Sequence, residues 1–425
     1  MQSWQRALAL FQDNQLAAAE QLLVSDAQCG HNPNALNLLG RIYLRTDRAG
    51  KALRCYKNAL TLAPHQPALL LGLGNALRAT GEVQQALEAF NQAIATRLAF
   101  TDAHYNAALC QRTLGNTWEA LLGFARASRF DPMLFDAAQQ AVGLLGELAR
   151  SDVPLPSAEL QRIPDDLPRF SIVICSIDTE KFKNVSDNYR RLIPADKLEI
   201  IGIHDARGLT EAYNRGIRAS HGDIIIFSHD DIAILNDDFA PRLATHLAEY
   251  DAVGVAGTTL LTGPAVFWSG HPHTHGWVAQ SEGGRTKFRA LTYTLNYKPV
   301  SSMQALDGVL IAAKRSLFDR FQFDETVKGF HFYDIDFTYA LYRAGCQLAV
   351  VPNLRIVHYS EGKFDATWQR ASEDFQKRYP ELRQAQGISH SYAAELESEA
   401  QVQRFYAFLE KLDRELDSRG VTNRN

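Results

Sequence analysis

Two clusters of polar side chains stand out by where they fall. His229-Asp230-Asp231 follows directly on the apolar run Asp223–Ser228, at the carboxyl end of a predicted strand. Tyr333-Asp334-Ile335-Asp336 opens a helical pattern. A few carboxylates at a strand end suit a divalent cation whose shell is completed by phosphate oxygens. A carboxylate within hydrogen-bond reach of a hydroxyl can take up its proton. The plainer readings are a helix cap and a solvated loop, and a carboxylate at a helix start complements the helix dipole whatever else it does. A third group, His271, His273 and His275 in GHPHTHGW, alternates through a Pro/Gly loop with no nearby Cys, which does not predict a structural zinc site. The chain has neither GxxxxGK[ST] nor GxGxxG after a strand, which argues against phosphate-loop ATPases and dinucleotide enzymes.

These clusters lie among short β-branched runs: Phe170–Ser176, Leu198–Ile203, Asp223–Ser228, Ala252–Ala256, Gly308–Ala312 and Gln347–Val351. Helical patterns such as Leu209–Ser220 and Asp336–Ala344 fall between them. Apolar strands alternating with amphipathic helices predict an α/β domain over 169–364, with a largely parallel sheet covered on both faces. Residues 150–168, with flanking prolines, read as a linker, and 365–425 as a charged helical extension.

The first third repeats. Ala18, Ala52, Ala86 and Ala120 recur every 34 positions. Leu22, Tyr56, Phe90 and Phe124 keep step, as do Ser25, Ala59, Ala93 and Ala127. Asp13, Asp47, Gly81 and Gly115 mark the turns, where a positive φ is needed. Small residues let paired helices approach closely, and the aromatic fills the space between neighbouring pairs. This period is that of the tetratricopeptide repeat, which 1–149 resembles, with a degenerate first unit and a capping helix near 135–149.

Composition excludes several classes. Lys plus Arg total 44 against 48 Asp plus Glu, a net charge of −4, so nothing favours nucleic acid. Apolar residues make up 46% and charged residues 22%, which excludes wholesale disorder. No apolar run reaches the ~18 residues that span a bilayer. The start MQSWQRALALFQDNQ lacks the pattern of a signal peptide, and five scattered cysteines form no CxxC pair, so a reduced, cytoplasmic protein is expected.

Residues 169–362 resemble glycosyltransferases of the GT-A fold, in particular family 2-like enzymes related to the streptomycin-biosynthesis protein StrF. The resemblance rests on FSIVICS, on LTEAYNRGIRASHGDIIIFSHDDI and on FDETVKGFHFYDIDFTYALYRAGCQLAVVPNLRIVHYSEG, in that order. It implies a nucleotide-sugar co-substrate and a divalent metal, Mn or Mg. The family's Asp-x-Asp motif puts Asp231 on the metal, with His229 in place of the first Asp. His358 stands where related enzymes offer a metal-ligating His. Asp334 takes the place of the base that deprotonates the acceptor in an inverting displacement, with Tyr333 where the family has Glu. Asp178, Asp205, Asn214, Asp230 and Asp307 fall at donor-side positions, Arg207 or Arg215 suits phosphate, and Gly308 permits close ligand approach. Trp268 or Trp277 is expected to stack on a sugar face.

The expected protein is therefore a cytoplasmic glycosyltransferase whose helical repeats recognise a protein acceptor. Two rivals stand beside it: a repeat scaffold with an inactive transferase domain, and a transferase acting on a cell-surface glycan. Homo-oligomerisation is an alternative use of the repeats.

Overall fold

A computed structural model describes residues 3–157, 160–262, 272–281, 286–295, 297–360, 365–382 and 391–418. The chain divides into two compact units that meet at Leu144 and Leu145.

The first unit is helical. Its helices are α1 (Ser3–Gln12), α2 (Leu16–Ser25), α3 (Pro33–Arg45), α4 (Ala49–Leu62), α5 (Pro67–Ala79), α6 (Val83–Thr96), α7 (Thr101–Thr113) and α8 (Thr117–Phe130), with α9 (Phe135–Arg150) at the boundary. Successive helices pair as the 34-residue period requires. Ala52, Ala86 and Ala120 are fully buried, and so are Tyr56, Phe90 and Phe124. Tyr56 is clamped between two glycines: a Cβ on Gly72 would stand 2.2 Å from its ring and one on Gly40 2.6 Å. Asp47, Gly81 and Gly115 adopt the expected positive φ.

The first repeat is out of step by one residue. Its left-handed turn residue is Asn14, not Asp13. Its buried small residue is Ala19 and its buried large one Leu23, whereas Ala18 is exposed. Helix α2 thus presents the neighbouring positions to α3, a shift that only packing reveals.

The second unit holds β1 (Phe170–Cys175), α10 (Thr179–Leu192), β2 (Leu198–Ile203), α11 (Leu209–Ala219), β3 (Ile224–Ser228), β4 (Ile232–Ile234), α12 (Phe239–Glu249), β5 (Ala252–Gly254), β6 (Ala256–Thr258), β7 (Thr274–Ser281), β8 (Phe288–Thr292), β9 (Ala305–Leu306), β10 (Leu310–Lys314), α13 (Tyr333–Arg343), β11 (Leu348–Val350), β12 (Ile356–His358), α14 (Ala366–Arg378), β13 (Tyr392–Leu396) and α15 (Glu399–Ser418). The described residues of 151–168 form no helix or strand.

Two sheets result. The first has the order β11-β5-β10-β3-β1-β2. Alternation along its strands buries both faces. Ile172, Ile174, Ile224 and Ile226 join the core under α10 and α12. Val173, Ile225 and Phe227 join the one under α11 and α13. The sheet is largely parallel, as expected, except for β10, which runs antiparallel to both neighbours. A continuous apolar run such as LIAA carries no signal for strand direction.

The second sheet follows β13-β8-β7-β12-β4, with β6 joining β7 to β9. It was not expected from the sequence, since its strands are short or interrupted by polar residues. The tail is likewise not purely helical: β13 pairs antiparallel with β8. Arg404 of α15 hydrogen-bonds the carbonyls of Ala149, Ser151 and Val153 at 2.9, 2.6 and 2.7 Å, so the start of the expected linker is held by the second unit.

The Tyr56 clamp is testable. Gly72→Ala drives a methyl into a buried ring and should cost about 1–3 kcal/mol by overpacking. Gly143→Ala, where a Cβ meets nothing within 4 Å, should leave chemical denaturation midpoints unchanged or raise them slightly.

Candidate active site

The carboxyl ends of β1, β2 and β3 bring Asp178, Asp205 and the 229–231 cluster to one edge of the first sheet. Open α/β sheets bind ligands at this edge. Strand β4 leaves the cluster and pairs antiparallel with β12, setting His358 opposite Ile232. Tyr359 donates its backbone N–H to the Asp231 carbonyl at 2.8 Å. Backbone pairing therefore delivers His358 to Asp231.

Three side chains converge there. His358 Nε2 lies 3.2 Å from Asp231 Oδ1, His229 Nδ1 lies 3.3 Å from His358 Nε2, and His229 Nδ1 lies 3.9 Å from Asp231 Oδ1. Ser360 Oγ is 3.1 Å from His358 Nε2, and Lys181 Nζ is 3.5 Å from Asp231 Oδ2. The side chains of Asp231 and His358 are only 11% and 12% exposed. Burial works against the Asp231 carboxylate, but His358, His229 and Ser360 outweigh it and hold the group below the usual range. Burial, then the neighbouring His358, lowers His229, which stays neutral and able to offer a lone pair. One carboxylate oxygen and two imidazole nitrogens lying within 4.8 Å of one another make a fitting donor set for a divalent cation.

Asp334 approaches from the other side. Phe332, just before α13, takes a left-handed φ of +62°, which is strained for a bulky residue. It is held by ring contacts with Trp368 and Phe375 of α14 at 5.5 and 5.3 Å between centroids. Tyr379 anchors the same region through Asp336 at 3.0 Å. The kink aims Asp334 at the Asp307-Gly308 turn, where Gly308 N donates to Asp334 Oδ2 at 2.7 Å. A Cβ on Gly308 would stand 2.1 Å from the Tyr333 hydroxyl, so α13 reaches this depth only against glycine. Burial, then the Asp307 charge, pushes the Asp334 carboxyl up to about 7, against the backbone N–H bonds it accepts. That is a value suited to a group exchanging protons near neutrality.

The donor-side residues divide. Asp230 accepts from Ser176 Oγ at 2.6 Å, tying β1 to the cluster. Asp178 caps α10, accepting from Glu180 N and Lys181 N at 2.9 and 3.0 Å. Asp205 is exposed and paired with Arg215 at 2.9 Å. The pair lines a cleft of about 490 Å³ together with Arg207, Thr210, Glu325 and Lys328. Asp307 Oδ1 accepts from Val309 N at 2.9 Å and shapes the turn beneath Asp334.

Two expectations are corrected. Asn214 is buried, donates to Phe323 O and Glu325 Oε1 at 2.9 and 3.0 Å, and accepts from Phe323 N at 3.0 Å. Its amide staples α11 to the loop before α13. Trp277 is fully buried and packs on Phe405, so it offers no face to a sugar. His271 and Trp268 lie outside the described residues. The sequence reading missed Tyr333 as a participant: its hydroxyl lies 3.1 Å from His229 Nε2. The signal was present in two unusual residues, but nothing in their spacing joined them.

Comparison with known proteins follows the same division. A family model described as "Glycosyltransferase like family" matches residues 171–379. Two tetratricopeptide repeat models match 32–99 and 71–132. A peroxisomal targeting signal receptor of Kluyveromyces lactis is 23% identical over 167 residues, which is 38% of this chain and 28% of that receptor's length. Among solved structures, MamA is 20% identical with a TM-score of 0.31, over 33% of this chain and 83% of its own. YrrB, described as a TPR protein with an unusual peptide-binding site, is 21% identical with a TM-score of 0.31, over 35% and 78%.

The raised Asp334 pKa has a consequence for stability. A carboxyl whose pKa is higher folded than unfolded favours folding while protonated. That contribution is fully present below the ordinary carboxylate range and is lost as pH rises through about 7. Asp334→Asn cannot ionise, so calorimetry should find its melting temperature above the parent's at about pH 8 and level with it at about pH 4.

Proposed function

For a chain that joins tetratricopeptide repeats to a glycosyltransferase-like domain, we propose an inverting, metal-dependent transfer of a sugar from a nucleotide-sugar donor to an acceptor hydroxyl. The observation that carries this reading is the convergence at one sheet edge of a cation-suited donor set at Asp231 and His358 with a carboxyl near neutrality at Asp334. The arrangement supports a GT-A type site. A divalent cation held by Asp231 and His358 would offset the charge of the departing nucleoside diphosphate. Asp334 takes the proton of the acceptor hydroxyl as that oxygen bonds to the anomeric carbon and the bond to phosphate breaks. A single in-line displacement needs one base and inverts the centre. Asp178, Asp205, Asp230 and Asp307 are proposed to line the donor side, with Arg207 and Lys328 in the adjoining cleft suited to phosphate.

The acceptor is proposed to be a protein, or a glycan already on one. Stacked helix pairs present an extended surface suited to a peptide segment. Among the described residues no helix is long and apolar enough to cross a membrane. A shortened chain beginning at Met133 keeps α9 whole. It should retain donor hydrolysis and lose transfer to the natural acceptor. Transfer at the full-length rate would assign the repeats to assembly instead.

Activity should rise with pH through about 7 as Asp334 loses its proton. Asp334→Asn should cut transfer by about 10²–10⁴-fold while donor binding persists, read by single-turnover kinetics and calorimetric titration. Asp231→Asn should abolish the response of turnover to added Mn²⁺. Normal turnover by a folded Asp231→Asn protein would remove Asp231 from the reaction.

A further inference from the structure

The two positions that depart from the family's motifs touch one another. His229 stands where the motif has Asp, Tyr333 where it has Glu, and His229 Nε2 lies 3.1 Å from the Tyr333 hydroxyl. Tyr333 is buried and donates to the Gly308 carbonyl at 3.3 Å. The phenol also hydrogen-bonds Tyr213, and a carbonyl can only accept; with its proton turned to these partners, the phenol oxygen is left to accept from His229 Nε2–H. The His229 lone pair is then on Nδ1, the atom facing His358 and Asp231.

The three facing atoms form a triangle with edges of 3.2, 3.3 and 3.9 Å. Ligand bonds of about 2.0–2.2 Å set neighbouring donors ~3.0 Å apart at right angles and ~3.4 Å apart at tetrahedral angles. Two edges fall between those separations and the third, between His229 and Asp231, exceeds both, so a contraction along that edge closes the triangle on an ion. His358 Nε2 lies 3.3 Å from His229 Nδ1 and 3.2 Å from Asp231 Oδ1, so a proton or a cation must stand among these three acceptors. Lys181 flanks the other Asp231 oxygen at 3.5 Å, which favours single-oxygen ligation.

Resting on the metal-dependent reading above, we infer that His229 is a third metal ligand and Tyr333 its positioning residue. The site is then a two-imidazole, one-carboxylate face that selects borderline transition ions such as Co²⁺ or Zn²⁺ over Mg²⁺, with the harder Mn²⁺ between. Mg²⁺ prefers oxygen ligands and keeps its waters, whereas imidazole suits the later ions.

The test is titration of the full chain with MnCl₂, CoCl₂ and MgCl₂ alone, by calorimetry and by the visible absorption of bound Co²⁺. Co²⁺ should bind at least about 10-fold more tightly than Mg²⁺, with Mn²⁺ between the two. His229→Asp should reduce that ratio by about 10-fold or more and shift the cobalt bands. Tyr333→Phe, which keeps the ring, should weaken Co²⁺ and Mn²⁺ by about 10–100-fold, leave Mg²⁺ nearly unchanged and alter the cobalt spectrum. If both variants keep the parent's ratio and spectrum while Asp231→Asn abolishes binding, His229 is not a ligand and the inference falls with the metal reading intact. If the unaltered chain binds none of the ions, both fall.

Discussion

The pairing of β4 with β12 is the contact on which the candidate site depends. Asp231 and His358 are far apart in the chain, and neither has a local reason to meet the other. Their backbones are joined through Tyr359 N and the Asp231 carbonyl at 2.8 Å and through the ladder from Ile232 to Ile234. Strand β12 also lies parallel to β7, so the second sheet holds it from the other side. Side chains at the end of such a ladder inherit its rigidity, which a metal face needs if its ligands are not to be ordered anew at each binding event.

The second half of the site is set by an opposing constraint. Helix α13 enters against Gly308, where no Cβ fits beside the Tyr333 hydroxyl. The strained φ at Phe332 is stabilised by the aromatic packing of α14. Asp334 gains proximity to Asp307 and loses water, and both effects raise its pKa. Asp334 is thus held partly uncharged by its surroundings near neutral pH. The cost in stability falls on the residue proposed to move a proton, a common trade at reactive sites.

The two units rest on different physics. In the repeats, each helix pair buries small residues and one aromatic against the next, so the code is local and periodic. In the second unit, strands adjacent in the sheet are distant in sequence, and β10 enters between β3 and β5 in the reverse direction.

Much of this was legible from residue order. The repeat period, the turn residues Asp47, Gly81 and Gly115, and the strands β1, β2, β3, β5, β10 and β11 all follow from local periodicity and backbone preference. So does the placing of Asp231 and Asp334 at element ends. What periodicity cannot carry is strand direction, one-residue register in a degenerate repeat, or the partner of a short polar strand. Those are decided by packing between distant segments. The sequence alone therefore read Asn214 as a ligand contact and Trp277 as an exposed face, when both are interior. It also left His229 and Tyr333 as two unrelated oddities. Their meeting depends on β3 and α13 converging over Gly308, and no spacing along the chain encodes that convergence, because it is set by which side chains can fill the space between the two elements.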